Sequence, residues 1–214
     1  MTHALQAALD TIAPPRERTR RMRTRTLADI PFDPQPVYCG ELTVLTLARY
    51  NDAAVSDMIR SLKYENGAHA AALAAALLAD FLVEEIAAIR AWSARPILIA
   101  PVPLHSARER ERGFNQIARV LALLPSELQN GTEARAMPHL LSRLRNTPAQ
   151  ARLPRAARLA NVADAFALSP GIDVSGAHVI LVDDVVTTGA TITHAATPLL
   201  AHGAAVTLVA LARA

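Results

Sequence analysis

The chain has 214 residues, with 22 Lys+Arg against 19 Asp+Glu and a formal net charge of +3. That length suits one domain, or one domain with a small appendage, and is enough to bury a core without cross-links. Cys39 is the only cysteine, which excludes an internal disulfide and a cysteine-built metal site and makes a reducing, cytoplasmic compartment the simplest expectation.

The positive charge is almost all arginine, with Lys63 the sole lysine, and it gathers at Arg16–Arg25, Arg108–Arg119 and Arg143–Arg158. Guanidinium forks suit phosphate, but such runs also form ordinary solvated faces. Aromatic residues make up only 4% of the chain, so base stacking on the Arg16–Arg25 cluster is not expected. Weak, salt-dependent attraction of nucleic acid to that cluster is the remaining partner reading.

In chain order, residues 1–36 form an Arg/Pro-rich segment with little apolar periodicity, expected to be weakly ordered or peripheral. "VYCGELTVLTLARY" predicts a β-hairpin turning at Gly40–Glu41. Asn51 or Asp52 then caps a helix through "AAVSDMIRSLKY", whose Val55, Met58, Ile59 and Leu62 share a face. An Ala/Leu-rich helix follows to about Arg90. Its first part, Ala68 to Ala79, imitates a membrane span, but Asp80, Glu84, Glu85 and Arg90 follow within the same helix and argue for a packed one.

From Pro96 the pattern alternates between strand and helix. "PILIAPVPL" reads as a buried strand ending in a constrained loop, "FNQIARVLALL" as a helix and "HLLSRLR" as a strand. A short arginine-bearing helix is entered at Pro154. "HVILVDD" is a strand, "GATITHAATPLLAHG" a helix ending at Gly203 and containing Pro198, and "AAVTLVALAR" a last strand. Units of this kind predict an α/β fold with an open, mainly parallel twisted sheet flanked by helices.

The stretch "VILVDDVVTTGAT", Val179 to Thr191, carries the chemistry. Ligands of open α/β sheets bind beyond the carboxyl ends of strands. Because neighbouring strand residues point to opposite faces, both Asp183 and Asp184 meet one ligand only if the strand has ended by then. The Thr/Gly-rich turn opens a helix whose free N–H groups suit a phosphate. The carboxylates suit sugar hydroxyls or hydrated Mg²⁺. Neither G-x-x-x-x-G-K-[ST] nor G-x-G-x-x-G is present. His105, His178, His194 and His202 show no metal-ligand spacing.

This stretch resembles the phosphoribosyl-pyrophosphate (PRPP) motif of type I phosphoribosyltransferases. "PVPLHSARERERGFNQIARVLA", "IRSLKYENG" and "RLRNTPAQARLPRAARLANVADAF" are similar to segments of that family's ComF/GntX subgroup. The resemblance covers roughly Ala48 to Arg213. It implies a phosphoribosyltransferase-like domain over 37–214, with a hood from about 37–66 and a core over 67–214. Part of 125–150 would join the hood in setting the acceptor.

It also implies roles for individual residues. Asp183 and Asp184 would hold the ribose hydroxyls, and Val185, Val186, Thr187, Thr188, Gly189, Ala190 and Thr191 the 5-phosphate. Val102, Pro103, Leu104 and Arg112 would grip pyrophosphate, and Arg143 and Arg145 would act catalytically from a loop closing over PRPP. Lys63, His105, Thr147, Gln150 and Arg158 are further candidate contacts. Mg²⁺ would enter with PRPP. The subgroup's paired N-terminal cysteines are missing, so no zinc is expected.

The implied activity is transfer of phosphoribosyl from PRPP to an unidentified nitrogen acceptor, with release of pyrophosphate. The alternative is a non-catalytic PRPP- or nucleotide-binding accessory protein in DNA uptake (competence), or a nucleic-acid-associated role. A homodimer is compatible with either.

Overall fold

The computed structural model of the protein describes residues 17–64, 67–104, 113–144 and 165–214. Helices α1 (Glu17–Thr24), α2 (Ala53–Tyr64), α3 (Ala68–Trp92), α4 (Gln116–Leu121) and α5 (Ala190–Ala201) surround eight strands: β1 (Gln35–Cys39), β2 (Leu42–Arg49), β3 (Ile97–Pro101), β4 (Arg135–Ala136), β5 (Leu141–Arg143), β6 (Phe166–Leu168), β7 (His178–Val186) and β8 (Ala205–Arg213). Six strands form the main sheet in the order β1-β2-β8-β7-β3-β4. Only β1–β2 is antiparallel there. This is the mixed α/β architecture with a mostly parallel sheet that the alternation predicts.

Strand β7 lies inside that sheet, between β8 and β3. Val179 to Val182 are fully buried, because helices cover both faces, and a continuous apolar run is what such a position requires. One face meets α1 to α4 through Met22, Val55, Met58, Leu78, Leu82 and Ile117; the other meets α5 and the β5–β6 pair through Ile192, Leu199, Leu141 and Phe166. Alanines at 70, 71, 74 and 75 are buried along α3.

Several local expectations hold. The hairpin turns at Gly40, which has φ +69°. Asp52 caps α2, its carboxylate accepting from the Ala54 and Val55 amides at 2.8 and 3.2 Å. Pro198 sits inside α5, where its missing N–H removes one helical hydrogen bond.

Three expectations change. The described part of the Arg/Pro-rich segment contributes to the core: Met22 and Ile30 are buried, and Arg21 grips the buried Asp57 of α2 through two nitrogens at 3.1 and 3.2 Å. A fork-on-carboxylate contact anchors α1 despite its polar composition. Second, "HLLSRLR" yields only the three residues of β5, paired antiparallel with β6 in a separate two-stranded sheet. Third, β7 continues through Val186, two residues beyond "HVILVDD", because β8 keeps pairing with it up to Val186↔Arg213. The helix expected from Pro154 lies outside the described residues. Among those residues no helix is long and apolar enough to cross a membrane.

Candidate functional site

Since β7 does not stop at Val182, its two aspartates diverge. Asp183, with Val185 to Ile192, lines a depression of about 40 Å³ beyond the strand. Asp184 turns toward α2 and α4. Its Oδ1 lies 2.8 Å from Lys63 Nζ, and the Gln116 amide donates to its Oδ2. The expectation that both carboxylates face one ligand rested on an early strand end; side-chain alternation in the longer strand separates them.

The Asp183 carboxyl is pushed from an ordinary 3.8 up to about 7, first by withdrawal from water and then by the neighbouring Asp184 charge. The Asp184 amide, donating to Asp183 Oδ1 at 2.8 Å, and the charges of Lys63 and Arg143 pull the other way. An acid whose native pKa exceeds its unfolded value keeps its proton in the native state after the unfolded chain has lost it. Its contribution to stability is therefore complete below about pH 4 and falls as pH rises towards 7. Asp183→Asn is expected to flatten this fall, matching wild type near pH 4 and exceeding it above pH 7. Urea denaturation at both ends of the range checks this, and parallel profiles would contradict it.

The phosphate-like loop is shaped by backbone. Gly189 caps α5 in the left-handed region, φ +74°. A Cβ there would lie 2.0 Å from Cys39 Sγ and 2.9 Å from Cys39 Cβ, so the hairpin end of β1 packs directly on the loop. The first amides of α5 have no helical acceptor, and Thr187, Thr188, Ala190 and Thr191 line the depression. Burial raises the Cys39 thiol pKa, which keeps it in its inert form.

The other sequence-predicted residues fall in different places. Val102 is buried, and its N–H is spent on the Val182 carbonyl at 2.8 Å; Pro103 has no N–H. Pro103, Leu104 and Arg143 line a separate cavity beside α4. His105, Arg112, Arg145, Thr147, Gln150 and Arg158 lie outside the described residues.

Two further residues stand out. Asn115 caps α4, accepting from the Ile117 and Ala118 amides at 2.9 and 3.2 Å, and donates to the Val102 carbonyl at 3.0 Å. Gln116 holds Asp184. Together they tie α4 to the ends of β3 and β7. Both belong to the "RGFNQ" signature, which sequence reasoning used for recognition without assigning them roles.

Comparison with known proteins gives a consistent set of relatives, although no family model matches the chain. The chain is 37% identical over 133 residues to the DNA utilization protein YhgH of Salmonella typhi, covering 61% of this chain and 56% of that protein. It is 36% identical over 152 residues to the Salmonella typhimurium protein of that name, covering 71% and 63%. With the Escherichia coli K12 protein the identity is 34% over 163 residues, covering 76% and 67%. The chain thus spans less than two thirds of the length of the two Salmonella relatives and 67% of the Escherichia coli one. An identity of this level over most of the chain places it: the chain belongs to the family of the DNA utilization protein YhgH.

Proposed function

We propose that the protein is a ribose-phosphate binder of the type I phosphoribosyltransferase kind, acting in the use of DNA rather than primarily in phosphoribosyl transfer. The observation that carries this reading is the end of β7, where Asp183 and the Gly189-capped α5 share one depression. A carboxylate beside free helix amides suits a sugar hydroxyl and a 5-phosphate on one ligand. The relatives' name, DNA utilization protein, supports the accessory role.

Within this reading Asp183 accepts from the ribose, and Lys63 and Gln116 fix Asp184 behind it. Among the described residues no three His, Cys, Asp or Glu side chains gather as a metal site. Mg²⁺ carried on a diphosphate would take oxygens from ligand and water, a mode it commonly adopts, and Asp183 would be the carboxylate available to it in the depression. Ionised Asp183 is the better hydroxyl acceptor, so binding strengthens as pH rises through about 7.

Transfer to a nitrogen acceptor is the second reading. It is favoured by Arg143, which acts electrostatically on Asp183 while lining the neighbouring cavity. One experiment ranks the two. PRPP with Mg²⁺ at about tenfold over its Kd is expected to raise Tm by about 3–5 °C, and Asp183→Asn to remove the shift. No shift in the wild-type chain at millimolar PRPP sinks both readings. Pyrophosphate release across a panel of nitrogenous acceptors supports transfer; binding without release supports the accessory role.

A further inference from the structure

Of the two strand-end carboxylates, one reaches the depression beyond β7. Asp183 lines it, and among the described residues around it Asp183 is the sole carboxylate. Asp184 is buried and committed elsewhere: its Oδ1 lies 2.8 Å from Lys63 Nζ, and the Gln116 amide donates to its Oδ2. Side chains at neighbouring strand positions point to opposite faces, and the ladder that β8 holds up to Val186↔Arg213 fixes that division. Turning Asp184 into the depression would strand the Lys63 charge. Separating so dry a pair costs more than one sugar hydroxyl returns.

Ribose 5-phosphate carries hydroxyls at C2 and C3, and two carboxylates facing it could hold both. Here the strand side of the depression gives Asp183 and then Val185 and Val186, whose side chains are apolar. Their backbone is paired with Ala212 and Arg213 of β8, and the Val186 carbonyl also accepts from the Ala214 amide at 3.0 Å. Thr187, Thr188 and Thr191 flank Gly189 at the start of α5, beside the helix amides that suit the phosphate. A hydroxyl that meets a carboxylate is worth about tenfold or more in affinity, and one left in water almost nothing.

We propose that the depression accepts 2-deoxyribose 5-phosphate, the sugar phosphate of DNA, as readily as ribose 5-phosphate, with Asp183 on the 3-hydroxyl that the two sugars share and the 2-position unread. The inference rests on the ribose-phosphate reading and extends its ligand class to the deoxy sugars.

The test is a calorimetric titration of the full chain at about pH 8, where Asp183 is ionised, with ribose 5-phosphate, 2-deoxyribose 5-phosphate and inorganic phosphate. The two sugar phosphates are expected to bind with affinities equal within about threefold, and inorganic phosphate at least about tenfold more weakly. Asp183→Asn, which is expected to be at least as stable as wild type at that pH, should weaken both sugar phosphates by the same factor of about tenfold or more, through loss of the charged hydrogen bond. The proposal is overturned if removing the 2-hydroxyl costs more than about threefold, if inorganic phosphate binds as tightly as the sugars, or if Asp183→Asn spares either of them. Should 2-deoxyribose 5-phosphate alone bind weakly, this inference falls and the ribose-phosphate reading stands. Should neither sugar phosphate bind at several millimolar, that reading falls and takes the inference with it.

Discussion

Gly189→Ala is expected to abolish ribose 5-phosphate binding and to cost about 2–4 kcal/mol of stability. Two causes act at once. The backbone at 189 has φ +74°, a conformation that costs a side chain about 1–2 kcal/mol. The new Cβ would also meet Cys39, 2.0 Å from Sγ and 2.9 Å from Cβ. Rotating the thiol relieves the first contact and leaves the second, so β1 or the loop must move. The causes separate in the Cys39→Gly background, where only the backbone cost remains and the same substitution is expected to cost about half as much. Urea denaturation of the four proteins gives the coupling energy. A Gly189→Ala protein with wild-type stability and binding would show that the loop is not held by this contact.

Lys63→Met is expected to destabilise the protein by about 3 kcal/mol. The pair it breaks is largely dry: the Lys63 side chain is 21% exposed and that of Asp184 9%. Removing one partner of such a pair strands the other charge, which costs more than the pair itself contributes. Lys63→Met with Asp184→Asn should recover at least half of the loss, because a neutral amide at 184 still meets Gln116. A readout beyond stability distinguishes positioning from packing. The Lys63 charge pulls the Asp183 pKa down, so without it the pH midpoint of ligand binding should move upward. An unmoved midpoint would limit Lys63 to a structural role.

Much of this was legible in the sequence because it depends on local pattern. The buried run at 179–182, the Asp52 cap, the hairpin at Gly40 and the Thr/Gly turn before α5 each announce themselves over a few residues. What the sequence concealed depends on pairing across the chain. Nothing in "VDDVV" shows that β8 carries the ladder on to Val186, so the divergence of Asp183 and Asp184 was invisible. The partners of Asp184 lie on α2 and α4, 121 and 68 residues away by their numbers. A lone lysine and a glutamine give no signal of their own at that range. The anchoring of α1 was hidden for a similar reason, since composition alone makes arginines look solvated until Asp57 is found beneath Arg21.

The order β1-β2-β8-β7-β3-β4 has a consequence for how the molecule comes into being. Strand β8, which follows the other described strands in the sequence, inserts between β2 and β7. Until β8 leaves the ribosome, the nascent chain holds two unfinished half-sheets, each with an open hydrogen-bonding edge of apolar composition. Such edges invite pairing with the wrong partner. The depression beyond β7 shares this dependence, because the full length of β7, and with it the direction of Asp183, is set only when β8 docks. Helices α2 and α3 precede β8 in the chain and can pack before it, but the depression depends on β8.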